Sequence, residues 1–510
     1  MLAHAFTCGL DGVNGLAVEV EVFFSKGLIG FEVVGLPSAA VKESRDRIRA
    51  AILMSGFDWP MYKVTVNLAP AGIRKEGTSY ELAIAVGLLA AGNAERFSGL
   101  SQTMLLGELS LQGKLMPIRG ALGMVMTARK MGLASVILPS QNAQEVACMQ
   151  GIDIYPAQTL TEACDHLSGK SLIARQEPVS YSQLLQEGST AHDLRQVKGQ
   201  GMARKALEVA AAGGHNLLMV GIPGSGKTML ARCLPGILPP MSYEEALETT
   251  LVHSAAGVLE ANSGLLVQRP FRSPHHNVSM PAMIGGGAKV RPGEVSLAHN
   301  GVLFLDELPE YQRNALEALR QPLEDGEVSI TRVTSQANYQ SRCMLLAGMN
   351  PCPCGNHGSR KKECRCSAYE IKRYLGKISG PLLDRIDMQV EMDAVSIDEI
   401  ESSAEQECSA VVRERVLRAR MRQQERYKHK AFHCNAQLPA NGLEEYCPME
   451  PAAKQVLLKA VERFDISMRA YGRIRKVAKT IADIAGRDLI AAQDIVQAIQ
   501  FRNVEGQYWR

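Results

Sequence analysis

A chain of 510 residues suggests about three domains, and 46% apolar with 21% charged residues is the composition of an ordinary globular protein. Lys and Arg number 56 against 53 Asp and Glu, a net charge of +3, so the whole-chain balance carries no nucleic-acid signal and any such contact must come from local patches. No apolar run reaches the roughly 18 residues of a membrane helix, residues 1–12 carry no secretory pattern, and twelve cysteines in that context point to reduced thiols, so the expected location is cytoplasmic with no membrane partner.

Residues 18–24 (VEVEVFF) alternate as a strand does. Residues 41–55 read as a helix, with Val41, Ile48 and Ile52 on one face and Arg45, Arg47 and Arg49 largely elsewhere. A second alternating strand covers 63–68, a helix of small residues 80–91, and a short strand 136–138, ended by Pro139. These elements make one α/β unit over residues 1–167. Residues 168–198 are polar with weak periodicity and read as a linker. Strong α/β signals run over 199–392. Residues 393–510 are charged and helical in pattern, with helices at 452–464, 468–484 and 492–501.

The sharpest motif follows the apolar run 216–220 (NLLMV). Gly221, Ile222, Pro223, Gly224, Ser225, Gly226, Lys227 and Thr228 spell GxxxxGK[ST] between a buried strand and a helix that continues over 229–233. Glycines let backbone N–H groups close around phosphate, and the helix N-terminus adds a favourable dipole. The motif predicts ATP as cofactor, with Lys227 at the β/γ phosphates and Thr228 on Mg²⁺. A second strand, 302–305, ends in Asp306 and Glu307. Asp306 is expected to hold Mg²⁺ and Glu307 to polarise the attacking water. A third buried strand, 344–347, leads to Asn350, whose side chain can help position that water. Arg385 sits in a short apolar segment, 380–387. It either reaches a neighbouring subunit's γ-phosphate or pairs within the chain with Asp384 or Asp387.

Four cysteines cluster as CxC–x9–CxC: Cys352, Cys354, Cys364 and Cys366. Thiolates at this density suit a tetrahedral structural Zn²⁺, with His357 as a spare ligand; the alternative is free thiols in a loop.

These segments resemble the ComM/YifB family of magnesium-chelatase-like AAA+ ATPases. The resemblance rests on RPFRSPHH at 269–276, GGG at 285–287, PGEVSLAHNGVLFLDE at 292–307, NPCPCG at 350–355 and ISGPLLDRID at 378–387, and spans essentially the whole chain. It implies a hexameric ring hydrolysing ATP between subunits, with Asn350 as sensor 1 and Arg385 as the arginine finger. It implies a sensor 2 arginine in SMRAYGR at 467–473, Arg469 in first place and Arg473 in second. The activity implied is an ATP-driven DNA helicase and branch-migration motor that helps integrate DNA in natural transformation. The rival within the same resemblance is a chelatase-type ATPase that remodels a protein partner.

The N-terminal unit resembles the proteolytic domain of Lon-type proteases, through APAGIRKEGTSY at 69–80 and GELSLQGKLMPIRG at 107–120. Ser79 aligns with the nucleophile, but the catalytic lysine position falls on Leu122, with Lys114 and Lys130 eight residues away on either side. A Ser–Lys protease needs that base, so the expected fold is α/β with an inactive Lon-like domain, an AAA+ core around a parallel sheet, and a helical lid.

Three stretches are candidates for DNA contact. They are 269–276 with Lys289 and Arg291, the predicted hairpin 327–340 with Arg332 near its tip, and 411–430, where eight Lys/Arg and two Glu give +6. The first two correspond, by the resemblance, to pore loops. The third equally describes a solvated lid helix.

Overall fold

The structure, a computed structural model, describes the chain except residues 94–96, 98, 186–191, 261, 288–289, 332–335, 359–361, 395–405, 503–507 and 510. It divides into two compact units. The first comprises Met1–Glu187, Ser242–Val267 and Thr331–Tyr339, the second Gly188–Met241, Gln268–Ile330 and Gln340–Arg510.

The first unit is built on a seven-stranded sheet. Its order is Gly30–Val34, Lys63–Ala69, Asn14–Ser25, Leu2–Asp11, Thr103–Leu105, Ser135–Pro139, Asp153–Ala157. Leu2–Asp11 and Asn14–Ser25 form an antiparallel hairpin, Asn14–Ser25 is antiparallel to Lys63–Ala69, and the remaining neighbours are parallel. Val18, Val20 and Val22 are buried, while Glu19 and Glu21 fall on the opposite, more open face, as a period of two requires. Helix Ala39–Met54 buries Val41, Ile48 and Ile52. Helix Glu81–Gly92 is apolar almost all round and lies within the core.

The Lon-like segments place Ser79 and Leu122 in the core of the first unit. Ser79 is buried and its hydroxyl donates to the Cys8 carbonyl at 2.8 Å. Leu122 is wholly buried in helix Ala121–Lys130, and its N–H donates to Glu145 at 3.0 Å. Glu145 also accepts from Asn142 at 3.1 Å and from the Ser254 hydroxyl. Burial raises its carboxyl above the usual range despite these donors. Ser254 belongs to helix Tyr243–Ala256. Sequence reasoning puts that helix inside the ATPase core, whereas it packs with the first unit.

The second unit carries a five-stranded, all-parallel sheet in the order Phe271–Arg272, Val302–Leu305, Met344–Met349, Leu217–Gly221, Met388–Met392. The four longer strands are buried runs, apart from exposed Glu391, as expected of a sheet covered on both faces. Leu194 and Val197, assigned by sequence to the linker, are buried in this unit's core. Helices Ser409–Arg426, Pro451–Phe464, Met468–Ile484 and Ala492–Gln500 complete it. The predicted hairpin appears as Glu327–Thr331 and Gln336–Gln340; Arg332 lies outside the described residues. Among the described residues, no helix is long and apolar enough to cross a membrane.

A buried polar network ties sheet to helices here. Asp387 lies 3.5 Å from His215 and 3.0 Å from Arg473, and accepts from the Asn216 N–H at 3.1 Å. Burial alone would raise this carboxyl; His215, Arg473 and Lys476 together hold it well below the usual carboxylate range. The Asn216 side chain donates to the Arg385 carbonyl at 2.8 Å and accepts from the Leu345 N–H at 2.8 Å. It thus joins the Arg385 segment to the strand that leads to Asn350.

Candidate active site

Open parallel sheets bind ligands at the carboxyl ends of their strands. Three strands of the second unit end there in polar residues. Strand Leu217–Gly221 runs into the loop 222–226 and helix Lys227–Ile237. Gly224 and Gly226 have φ of +79° and +91°, left-handed values that a side chain would strain. The Lys227 ammonium donates to the Gly221 carbonyl at 2.7 Å, the Ile222 carbonyl at 3.1 Å and Asn350 Oδ1 at 3.2 Å. These acceptors are neutral, so they satisfy its protons without cancelling its charge. Burial lowers its pKa, opposed by the fields of Asp306 and Glu307. The Ser225 hydroxyl in the same loop is buried without a hydrogen-bond partner. An uncancelled cation, an orphaned hydroxyl and a helix N-terminus fit the phosphates of ATP.

Strand Val302–Leu305 delivers Asp306 opposite Thr228. The Thr228 hydroxyl donates to Asp306 Oδ2 at 2.6 Å, and the Glu307 N–H donates to Asp306 Oδ1 at 3.0 Å. A hydroxyl and a carboxylate are hard oxygen donors of the kind Mg²⁺ selects. Gly348 makes room for this pair, because a Cβ there would lie 2.9 Å from Asp306 Oδ1. Glu307 follows with φ 52° and ψ 47°, and its side chain is 55% exposed. The fold therefore unites Lys227, Thr228, Asp306 and Asn350, with Glu307 adjoining them.

Arg385 pairs within the chain, but with neither of the aspartates that spacing suggests. Its guanidinium donates to Glu324, to the Arg320 carbonyl at 2.9 Å and to the Pro381 carbonyl at 2.7 Å. Asp387 is unavailable to it because Arg473 and His215 occupy that carboxylate. Arg469 is 67% exposed and 4.0 Å from Asp384, whereas Arg473 is tied to buried Asp387.

The basic stretches are less open than their sequence suggests. Residues Phe271–Arg272 form the edge strand of the sheet. Arg269 donates to the carbonyls of Pro239 at 2.7 Å and Asn300 at 2.6 Å, and Arg272 makes a two-pronged pair with Glu294 at 2.7 and 2.9 Å. Arg291 is exposed; Lys289 lies outside the described residues. Along Ser409–Arg426, Arg415 pairs with Glu208 and Glu407, Arg420 with the Ala211 carbonyl, and Arg426 with Asp483. The helix uses much of its charge to dock, which sequence counting cannot detect. Sequence reasoning assigns His276 to a DNA-contact stretch, whereas its ring lies 3.6 Å from Glu307.

The four cysteines converge. Cys352 Sγ is 3.4 Å from Cys354 Sγ and 3.7 Å from Cys364 Sγ, Cys354 and Cys364 are 3.7 Å apart, and Cys366 completes a group within 4.8 Å. Disulfide sulfurs lie about 2.05 Å apart. Four thiolates about 2.3 Å from a tetrahedral Zn²⁺ stand about 3.8 Å from each other. The His357 N–H donates to Cys352 Sγ at 3.3 Å, while its ring packs edge-on to Tyr508. Backbone N–H groups of Asn356 and Arg365 lower the Cys354 thiol to about 6, whereas burial raises the Cys352 thiol.

Comparison with known proteins agrees with this geometry. Family models match over three stretches: "Subunit ChlI of Mg-chelatase" at 20–142, "Magnesium chelatase, subunit ChlI" at 193–400, and the ChlI C-terminal model at 406–502. The competence protein ComM of Haemophilus influenzae is 42% identical over 503 residues, covering 98% of this chain and 97% of that protein. The protein YifB of Escherichia coli is 42% identical over 496 residues, covering 97% and 96%. Lon protease 2 of Bacillus subtilis is 28% identical over 181 residues, 30% of this chain and 32% of that protein. The family's ATPase type matches the Lys227–Asp306 centre. The chain belongs to the ComM/YifB family of magnesium-chelatase-like AAA+ ATPases.

Proposed function

We propose that this chain is a ring-forming, ATP-driven DNA motor, a helicase or branch-migration translocase that promotes DNA integration in natural transformation or recombination. The union of Lys227, Thr228, Asp306 and Asn350 at the carboxyl edge of a parallel sheet carries the ATPase part of this reading. The full-length likeness to a protein named for competence supports the DNA part. Gly221 to Thr228 cradle ATP, Thr228 and Asp306 hold Mg²⁺, which supplies charge neutralisation at the phosphates, and Glu307 polarises the attacking water. Asn350 orients that water. Arg385 acts on the neighbouring subunit's nucleotide in a homohexamer, and Arg469, the freer of the two lid arginines, reports nucleotide to the lid.

DNA is bound through its backbone, without regard to sequence, by Arg291 and by the 327–340 segment, to which Arg332 belongs. Along the sequence this reading runs from the Lon-like segment 1–167 through the connecting segment 168–198 and the AAA+ segment 199–392 to the lid 393–510, with Ser242–Val267 and Thr331–Tyr339 of the AAA+ segment grouped with the first unit. The Lon-like body is not a protease, since Leu122 stands where the base is needed and the Ser79 hydroxyl is spent on a backbone carbonyl. The protein works in the cytoplasm.

The test is ATP turnover with and without single-stranded and branched DNA. We expect stimulation of several-fold and displacement of a branch strand. Turnover indifferent to both DNAs would remove the motor reading. Stimulation by a protein partner instead would favour the chelatase-type remodelling ATPase, which the chelatase family models support as the second reading.

The same reading gives the cysteine cluster a structural Zn²⁺ that stiffens the loop after Asn350. Protein prepared without chelator is expected to carry about one zinc per chain, lost when Cys352 and Cys364 are both changed to serine. Metal analysis finding none would exclude it.

A further inference from the structure

Helix Met468–Ile484 carries Arg469, Arg473, Lys476 and Thr480 on one face, at the three- and four-residue spacing that helix geometry sets. That face meets the segment bearing Arg385. Arg473 donates to Asp387 Oδ1 at 3.0 Å, Arg469 stands 4.0 Å from Asp384, and Thr480 Oγ1 lies 2.7 Å from His215 Nε2. Asp384 and Asp387 flank Arg385, one residue before it and two after. Arg502, just past helix Ala492–Gln500, adds a hold on the backbone, donating to the Ile386 carbonyl at 3.1 Å and the Asp387 carbonyl at 3.3 Å. From the strand side, Asn216 donates to the Arg385 carbonyl at 2.8 Å and to the Asp387 carboxylate at 3.1 Å. The Arg385 guanidinium, by contrast, rests on Glu324, the Arg320 carbonyl and the Pro381 carbonyl, none of them on the C-terminal helices. The base of this side chain and its tip are therefore held by different parts of the chain.

We propose that Arg473, through Asp387, is a positioning residue that fixes where Arg385 is presented to a neighbouring subunit. A guanidinium that exchanges Glu324 for phosphate swings from a base that Arg473 and Arg502 keep in place. Hydrolysis in one subunit thereby depends on the C-terminal helices of the next. A misplacement of about 1 Å at a reacting centre can cost 10²-fold, so a small shift of that base is felt as rate. Arg473 then serves the neighbouring site and not the nucleotide of its own chain. The inference rests on the reading of Arg385 as acting across the interface. It does not depend on DNA, so the assay contains none.

ATP turnover, ATP affinity and thermal stability are measured for the full chain, Arg473→Gln, Arg473→Lys, Arg502→Gln and Arg385→Ala. Arg473→Gln is expected to lose about 10-fold or more in turnover with unchanged affinity. Arg473→Lys recovers most of the loss, because the contact with Asp387 is a single N–H···O bond that an ammonium can replace. Mixed rings give the direction. Arg473→Gln has a sound phosphate loop and a misplaced Arg385. It therefore regains turnover when mixed with Lys227→Ala, whose Arg385 is sound, and does not regain it with Arg385→Ala. Regain with Arg385→Ala would assign Arg473 to the nucleotide of its own chain, and regain with neither would make its role structural. Either pattern, or undiminished turnover in Arg473→Gln, overturns the inference alone. Where Arg473→Gln folds poorly, Arg502→Gln, which frees the two carbonyls, decides in the same way. Undiminished turnover in Arg385→Ala overturns the finger reading and this inference with it.

Discussion

Arg385→Ala should bind ATP as the unaltered protein does and hydrolyse it roughly 10³-fold more slowly. Binding survives because Lys227, Thr228 and Asp306 are untouched. Hydrolysis fails because the finger's charge is missing from the neighbouring site. Within one chain, Arg385 is stored against Glu324 and two carbonyls, with only 12% of its side chain exposed. For the proposed finger role, subunit contact has to offer its guanidinium more than Glu324 does. A γ-phosphate carries more charge than that half-exposed carboxylate, so exchange of partners on assembly runs in the required direction.

Mixing experiments identify the location. Lys227→Ala has a ruined phosphate loop and an intact Arg385; Arg385→Ala has the reverse. An interface combining the good loop of one with the good arginine of the other is complete. Mixed rings of two inactive proteins should then regain part of the ATPase. An Arg385→Ala protein with undiminished ATPase would exclude the finger assignment.

Glu307→Gln should bind ATP and hydrolyse it at least about 100-fold more slowly. The amide keeps the shape of the side chain but cannot draw a proton from water. The Glu307 N–H contact to Asp306 belongs to the backbone and survives the change, so the Mg²⁺ residues stay in place. This makes the variant a clean trap for the nucleotide-bound state. Its readout is retained nucleotide after gel filtration together with phosphate release. Near-normal release would remove Glu307 from the role.

What the sequence discloses and what it hides divide along physical lines. The phosphate loop is legible because its chemistry is local: eight consecutive residues form the cradle, and only a strand before and a helix after are needed. Helix Met468–Ile484 is legible to the residue because its apolar spacing is long and regular. Strand Leu2–Asp11 was missed beside its well-patterned partner, since LAHAFTCGLD mixes small, polar and apolar residues on both faces. Phe271–Arg272 is too short to show any period, and its arginine reads as surface until Glu294 is seen beside it. The partner of Arg385 is 61 positions away at Glu324, a proximity created by the fold. His276 is hidden for the same reason: nothing local says that a histidine 31 positions earlier will face Glu307. Helix Tyr243–Ala256, opened by a Ser242–Glu245 capping box, groups with a body that lies far from it in sequence.

That last feature bears on how the protein can be cut and inherited. The Lon-like body is assembled from three stretches, two of which are interrupted by and embedded in the ATPase sequence. A fragment ending at residue 187 would lack Ser254, stripping a donor from the buried Glu145 carboxylate at a cost of about 1.5–3 kcal/mol. A fragment beginning at 193 would carry helix Tyr243–Ala256 with Ala246, Thr250, Val252 and Ser254 stripped of the body that covers them. Neither half is a cassette that gene truncation or shuffling can drop or exchange cleanly, so such an N-terminal body, even without a reaction of its own, can persist because the ATPase gene encodes part of it.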